Sequence, residues 1–183
     1  RRVLFRSVYS IFHHDMLNHQ MNKHYEYKVE ALKKAVKQKD YSSFIFLHER
    51  PYRLNAFSTI YSSFTDEEYW SLLGSIWIDS ENIWQNKSTW KMLLTSPRGK
   101  KELFMEEDDR DSFAKLPDTL TIYRGYQPRK NKNGFSYTLD EDRALWFANR
   151  FKGDGLVKER QVKKSDCFAL LNGRNESEII CLK

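Results

Sequence analysis

Three short segments in the C-terminal third of the chain carry side chains of the types that do chemistry. They are Tyr123-Arg124-Gly125, the run from Phe135 to Asp140, and Glu176-Ser177-Glu178. Two glutamates that stand two residues apart lie on one face of a β-strand, and an arginine presents a fixed fork of donors to anionic groups. Each segment alone would arise by chance in many proteins, so the information lies in their order along the chain.

The order and separation of these segments resemble those of the arginine–serine–glutamate class of mono-ADP-ribosyltransferases, which includes bacterial toxins and animal arginine-specific ecto-enzymes. Members of that class carry an aromatic-Arg-Gly strand, a Phe-x-Ser-Thr-Ser strand that leads into a helix, and a Glu-x-Glu strand followed by aliphatic residues. The resemblance covers about Leu116 to Lys183. Ser136-Tyr137-Thr138 departs from the usual Ser-Thr-Ser, and the bulky Tyr137 is expected to reshape the nicotinamide pocket.

The resemblance implies an enzyme that uses NAD as its substrate and cleaves the nicotinamide–ribose bond. Glu178 would then stabilise the positive charge that develops at the ribose, as a carboxylate does in glycosidases. Ser136 would hydrogen-bond Glu178 and orient it. Glu176 would prepare an arginine acceptor, so its presence favours a guanidinium target.

The same resemblance implies a set of residues that contact NAD. They are Tyr123, Arg124, Gly125, Tyr137, Thr138 and Phe147. Arg124 would bind the pyrophosphate or the adjoining ribose, and Gly125 would let the nicotinamide amide approach the backbone. Tyr137 or Phe147 would stack on the cationic nicotinamide ring. No spacing of cysteines and histidines predicts a metal site.

The elements that must hold these residues are readable from the hydrophobic pattern. Residues 8 to about 110 have helical periodicity, with a capping box formed by Thr65 and Glu68. Short β-rich runs follow from Leu116 onward, interrupted by an amphipathic helix from Asp140 to Phe151. We predict an α+β fold. A helical lobe over residues 8–115 would precede an antiparallel β-rich catalytic lobe over residues 116–183, the two forming one compact unit.

The net charge of +6 on 183 residues would suggest a nucleic-acid partner. Residues 1–7, however, resemble the in-frame translation of a DNA-sequencing adapter, and such a segment is set apart from the fold. Without its three arginines, 28 basic residues face 25 acidic ones. We therefore expect a protein acceptor rather than nucleic acid. The chain has two cysteines, Cys167 and Cys181, and we expect both to be reduced thiols.

The adapter-like start indicates environmental DNA, and a small enzyme of this kind would suit a bacteriophage. We therefore expect it in the cytoplasm, that of the host cell if a phage encodes it. Secretion stays open because the natural start is not given. No apolar run is long enough to span a membrane. The oligomeric state stays open as well.

Two other functions stay open. The first is a catalytically inactive module of the same fold that binds a host protein, and intact Arg124, Ser136 and Glu178 argue against it. The second is an enzyme that modifies nucleic acid, which the basic loop 129–132 supports.

Overall fold

The computed structural model describes residues 15–128, 130–150, 154–173 and 177–182, with side chains from residue 22 onward. The adapter-like residues 1–7, Arg129, Phe151 and the predicted acceptor residue Glu176 lie outside these ranges. The chain divides into two compact units, Arg1–Glu81 and Asn82–Lys183. The predicted start of the β-rich lobe at Leu116 falls inside the second unit.

The first unit consists of helices in its described part. They are α1 (Asp15–Gln38), α2 (Tyr41–Phe46), α3 (Arg53–Ile60) and α4 (Asp66–Asp79). The predicted capping box before α4 is confirmed. The Thr65 hydroxyl accepts the Glu68 N–H at 3.2 Å, and the Glu68 carboxylate accepts the Thr65 N–H at 2.8 Å. Trp70 and Trp77 are both fully buried, so this helix anchors the core of the unit.

The second unit joins helices to one sheet. Its elements are α5 (Lys87–Leu94), α6 (Glu107–Ala114), β1 (Thr119–Tyr126), β2 (Ser136–Thr138), α7 (Glu141–Asn149), β3 (Leu156–Lys163), β4 (Cys167–Leu171) and β5 (Glu178–Cys181). The strand order is β3-β1-β2-β5-β4, and every neighbouring pair is antiparallel. The predicted α+β class, with an antiparallel sheet and an inserted helix, is therefore confirmed.

The two faces of this sheet have different coverings. One face forms an apolar core that includes Leu120, Ile122, Tyr137 and Ile179, as the alternation of side chains along a strand requires. The other face receives α7, which packs against β1 and β3.

Two glycines allow α7 to lie directly on the sheet. A Cβ added at Gly125 would overlap the main chain of Ala144 and Ala148, and one added at Gly155 would overlap the carbonyl of Ala148. Ala144 and Ala148 are themselves fully buried. The missing Cβ of Gly125 therefore makes room for α7, and the approach of the nicotinamide amide to its backbone stays a prediction.

The helix α7 begins as predicted, because the Asp140 carboxylate accepts the N–H groups of Asp142 and Arg143 at 2.9 and 3.2 Å.

Among the helices of the described ranges, none has the length and apolar character needed to cross a lipid bilayer.

Candidate active site

The sheet brings the three chemistry-bearing segments side by side. Tyr123 on β1 pairs with Thr138 on β2, and Thr138 pairs with Glu178 on β5. On the other side of β1, Tyr123 pairs with Glu159 of β3. Because directly opposite residues on neighbouring strands point to the same face, these four side chains form one row across the sheet.

A cleft of about 190 Å³ opens beside this row. All eight described residues of the predicted site line it, namely Tyr123, Arg124, Gly125, Ser136, Tyr137, Thr138, Phe147 and Glu178. The cleft is smaller than the usual ligand pocket of about 300–1,000 Å³, so it suits one part of a dinucleotide better than the whole molecule.

Four further residues line the cleft that the sequence did not single out, and they are Tyr126, Gln127, Asn131 and Arg150. Gln127 and Asn131 belong to a polar loop with no motif of its own. Arg150 follows the last residue of α7, where a cation is favourable beside the helix carbonyls. The sequence held no signal for any of the four beyond their nearness to the predicted segments.

Arg124 is held by the main chain of the site. Its Nε and Nη2 donate to the Asn131 carbonyl at 3.1 and 2.9 Å, and its Nη1 donates to the Ser136 carbonyl. Burial lowers the pKa of Arg124, while Tyr137 and Glu178 act in the opposite direction. The fork that was predicted to bind pyrophosphate thus joins β1, β2 and the loop between them.

The loop between β1 and β2 is built around this guanidinium. Gly134 lies so close to it that an added Cβ would overlap the Arg124 guanidinium. The Asn131 side-chain oxygen accepts the Gln127 N–H at 3.0 Å, and the Gln127 amide donates to the Ala148 carbonyl at 2.6 Å. The loop therefore connects Arg124 to the end of α7, whose last carbonyls need external donors.

The register of β2 and β5 decides which hydroxyl stands beside Glu178. Thr138 is directly opposite Glu178, whereas Ser136 is opposite Ile180. Ser136 shares the face of Glu178 but lies on the diagonal, where side chains are farther apart. Thr138 is buried, and its hydroxyl also accepts the Asp140 N–H at 3.1 Å.

The backbone just before Glu178 is not extended. Ser177 has a φ of 41°, a left-handed conformation that costs energy for a residue with a side chain. Its carbonyl accepts the Leu139 N–H at 3.3 Å. Strand β5 begins at Glu178, and Glu176, for which the sequence predicted the same face, lies outside the described residues.

The chain segment after β4 is anchored by a buried acid. Asp109, on α6, is only 8% exposed, and its carboxylate accepts the Asn172 N–H at 3.0 Å. The packing of α6 against β4 places this carboxylate. The start of the segment that links β4 to β5 is therefore held against α6.

The two predicted stacking residues have different surroundings. Tyr137 is 4% exposed and packs in the apolar core, and the Arg160 guanidinium donates to its hydroxyl at 3.3 Å. Phe147 is only partly buried and lies at the cleft. Of the two rings, Phe147 is therefore the more accessible one.

Charged side chains of both signs line the cleft, namely Glu178, Arg124 and Arg150. Burial and the carboxylates of Glu159 and Glu141 raise the pKa of Tyr123. Glu178 adds a carboxylate in the same row. Among the described residues, no group of three His, Cys, Asp or Glu side chains is arranged to hold a metal ion.

Comparison of the chain with models of known protein families, with curated proteins and with solved structures finds no match. The resemblance of its motifs to the arginine–serine–glutamate transferases therefore stays a prediction. What the geometry defines is an α+β unit with a partly enclosed cleft beside strands β1, β2 and β5, lined by one carboxylate and two guanidinium groups.

Proposed function

We propose that this chain is a mono-ADP-ribosyltransferase that cleaves NAD at the nicotinamide–ribose bond and transfers ADP-ribose to an arginine of a protein acceptor. One observation supports this function above the others. The segments chosen from sequence for this chemistry, which hold Arg124, Ser136 and Glu178, line a single cleft. An inactive binding module would not need these three residues around one cavity.

The chemistry follows from the carboxylate on the cleft floor. The bond between the ribose C1′ and the nicotinamide nitrogen breaks, and its electron pair leaves with the nicotinamide as a neutral base. Glu178 stabilises the positive charge that develops on the ribose, and Thr138 or Ser136 holds the carboxylate in place. A guanidinium nitrogen of the acceptor then bonds to C1′ and loses a proton, for which Glu176 is the expected base.

The remaining contacts of NAD are assigned by what the cleft offers. Phe147 stacks on the nicotinamide ring, because Tyr137 is engaged in the core. Arg150 is exposed and lines the cleft, so it can contact the pyrophosphate through its planar fork of donors. Arg124 contributes by shaping the loop that closes one side of the cleft. We still predict that the reaction takes place in the cytoplasm, which is that of the host cell if a phage encodes the enzyme.

The test is incubation of the full chain with radiolabelled NAD and a bacterial lysate, beside two variants. Glu178→Gln removes the charge on the cleft floor, and Glu107→Gln makes the same change on the exposed first turn of α6. We expect labelled protein bands with the wild type and Glu107→Gln, and at least about 100-fold less label with Glu178→Gln. Release of the label by an arginine-linkage-specific hydrolase would identify the acceptor atom.

Three results would contradict the proposal. Equal labelling by Glu178→Gln and the wild type would remove Glu178 from the reaction. Neither labelling nor NAD hydrolysis by a wild-type sample with a cooperative thermal transition would favour the inactive module that binds a host protein. Label that a nuclease removes and a protease leaves in place would favour a nucleic-acid acceptor.

A further inference from the structure

The helix beside the cleft exposes an aromatic side chain between two cations. Trp146 of α7 is 50% exposed. The Arg143 guanidinium carbon lies 4.7 Å from the centre of its ring, and that of Arg150 lies at 5.6 Å. These three residues, which we call the Trp146 stripe, follow one another at helical spacing along the same side of α7.

The Trp146 stripe adjoins the cleft without being part of its lining. Arg150 lines the cleft together with Phe147, whose ring meets that of Trp146 edge to face at 5.0 Å. Trp146 itself is not among the lining residues. A macromolecule that reaches into the cleft with one side chain would therefore meet this stripe with the surface around that side chain.

Charges of both signs surround the cleft, and the cations cluster near the C-terminal end of α7. Glu178 lines the cleft, and Glu159 stands in the same row outside the lining. Arg143 lies on α7 and Arg150 follows its last residue, whereas the acidic residues Glu141 and Asp142 lie in the first turn of α7, at the other end of the helix from Arg150. Lys130 and Lys132 are also exposed and flank Asn131, which lines the cleft. A cationic acceptor side chain is attracted by Glu178, whereas the residues beside it meet the cations at the C-terminal end of α7 and on the loop between β1 and β2.

We infer that Trp146 and Arg143 of this stripe dock an acidic segment of the acceptor protein, so that the modified arginine is one flanked by aspartate and glutamate, while Arg150 faces the dinucleotide. This inference rests on the proposed transferase function and adds the chemistry of the partner. Tryptophan and arginine are the residues that most often dominate protein interfaces, and charge complementarity selects the partner and speeds encounter.

The experiment uses two synthetic peptides of equal length with one central arginine, flanked by Asp and Glu in the first and by Lys and Gln in the second. The wild type, Trp146→Ala and Lys91→Glu are compared. Lys91 is an exposed residue of α5, so it reports on a general change of charge. Transfer to each peptide and hydrolysis of NAD without peptide are measured separately.

We expect the acidic peptide to be modified with a KM about tenfold lower than that of the basic peptide. Trp146→Ala should raise the KM for the acidic peptide about tenfold and leave NAD hydrolysis unchanged, and Lys91→Glu should change neither. Equal KM values for the two peptides would overturn the inference. So would a parallel rise in the KM for NAD, because Trp146 would then act through Arg150 on the dinucleotide.

A direct binding measurement separates this inference from the proposed reaction. Fluorescence anisotropy of the labelled acidic peptide reports docking whether or not NAD is hydrolysed. If the wild type hydrolyses no NAD, binding that is lost in Trp146→Ala still supports the docking surface, and the absence of binding overturns it. Stronger binding of a single-stranded oligonucleotide than of the acidic peptide would also overturn it, in favour of a nucleic-acid partner.

Discussion

Thr138 of β2 lies directly opposite Glu178 of β5 in an antiparallel pair. The two residues are 40 positions apart in the sequence, and their pairing puts a buried hydroxyl next to the carboxylate proposed to act on the ribose. Ser136, which the sequence motif put forward for this place, is opposite Ile180. The register thus makes Thr138 a second candidate for the group that orients Glu178.

The first prediction concerns this hydroxyl. Thr138→Val removes the hydroxyl and keeps the shape, and we expect kcat for NAD hydrolysis to fall about tenfold to 100-fold, because Glu178 loses a group that orients it. Thr138→Ser restores a hydroxyl and should recover most of the rate. Steady-state kinetics of these variants beside Ser136→Ala make the test. A larger loss in Ser136→Ala than in Thr138→Val would return the orienting role to Ser136.

The second prediction concerns Arg124. Arg124→Lys keeps the charge but cannot donate to both the Asn131 and Ser136 carbonyls with a planar fork. We expect the free energy of unfolding to fall by about 1–3 kcal/mol and the KM for NAD to rise. Hydrogen exchange of the Gly134 amide, which donates to the Asn131 carbonyl at 3.2 Å, should become faster. Unchanged exchange at Gly134 would show that Arg124 does not hold the loop.

The elements of the second unit were accessible from the sequence because each has a local signal. Asp140 marked the start of α7, and short β-rich runs marked β1 and β5. The strand order and register had no such signal, since they depend on pairing between residues far apart in the chain. For the same reason the sequence predicted a site around Arg124, Ser136 and Glu178 but favoured Ser136 over Thr138.

The contacts that Arg124 and Gly125 make in the structure could not be predicted from the sequence. An arginine at a strand end can donate to an anionic ligand or to main-chain carbonyls. The carbonyls that Arg124 contacts became known only with the path of the loop through Asn131 and Gly134. A glycine that admits a ligand cannot be told from one that admits a helix until the helix is placed. Arg150 carried no motif, and its place at the cleft follows from the packing of α7.

The third prediction concerns the contact of α7 with the sheet. Gly125→Ala and Gly155→Ala would each push a methyl group into the main chain of α7, so we expect losses of about 2–3 kcal/mol in the free energy of unfolding. Gly173→Ala is the matched control, because an added Cβ there meets nothing within 4 Å, and its change should stay within about 0.5 kcal/mol. Chemical denaturation measures all three. Equal stability of the three variants would contradict the close packing of α7.

The fourth prediction concerns Glu176, whose role follows from the family resemblance. Glu176→Gln should lose transfer to arginine and retain NAD hydrolysis, because only the acceptor needs a base at that position. Glu178→Gln should lose both reactions. The two rates are measured in parallel with labelled NAD, with and without an arginine peptide. A proportional loss of both reactions in Glu176→Gln would remove its acceptor-specific role.

The last prediction concerns the cysteines of β4 and β5. Cys167 and Cys181 are cross-strand partners and both are free thiols. Hydrogen bonding with Cys181, followed by burial, raises the pKa of Cys167 above its ordinary value. Because the thiolate is the reactive form, iodoacetamide at pH 8 should modify Cys167 far more slowly in the folded chain than in the unfolded chain. Cys181→Ala removes the hydrogen bond that contributes most to the raised pKa of Cys167, so it should speed the alkylation of Cys167.

The same raised pKa links the thiol to stability. The unfolded chain releases the Cys167 proton near its ordinary pKa of about 8.5, while the folded chain retains it. The contribution of this thiol is therefore fully present below about pH 8.5 and declines as the pH rises beyond that value. Denaturation at pH 7.5 and pH 9.5 should show a smaller decline for Cys167→Ala than for the wild type. Identical declines would show that Cys167 titrates alike in both states.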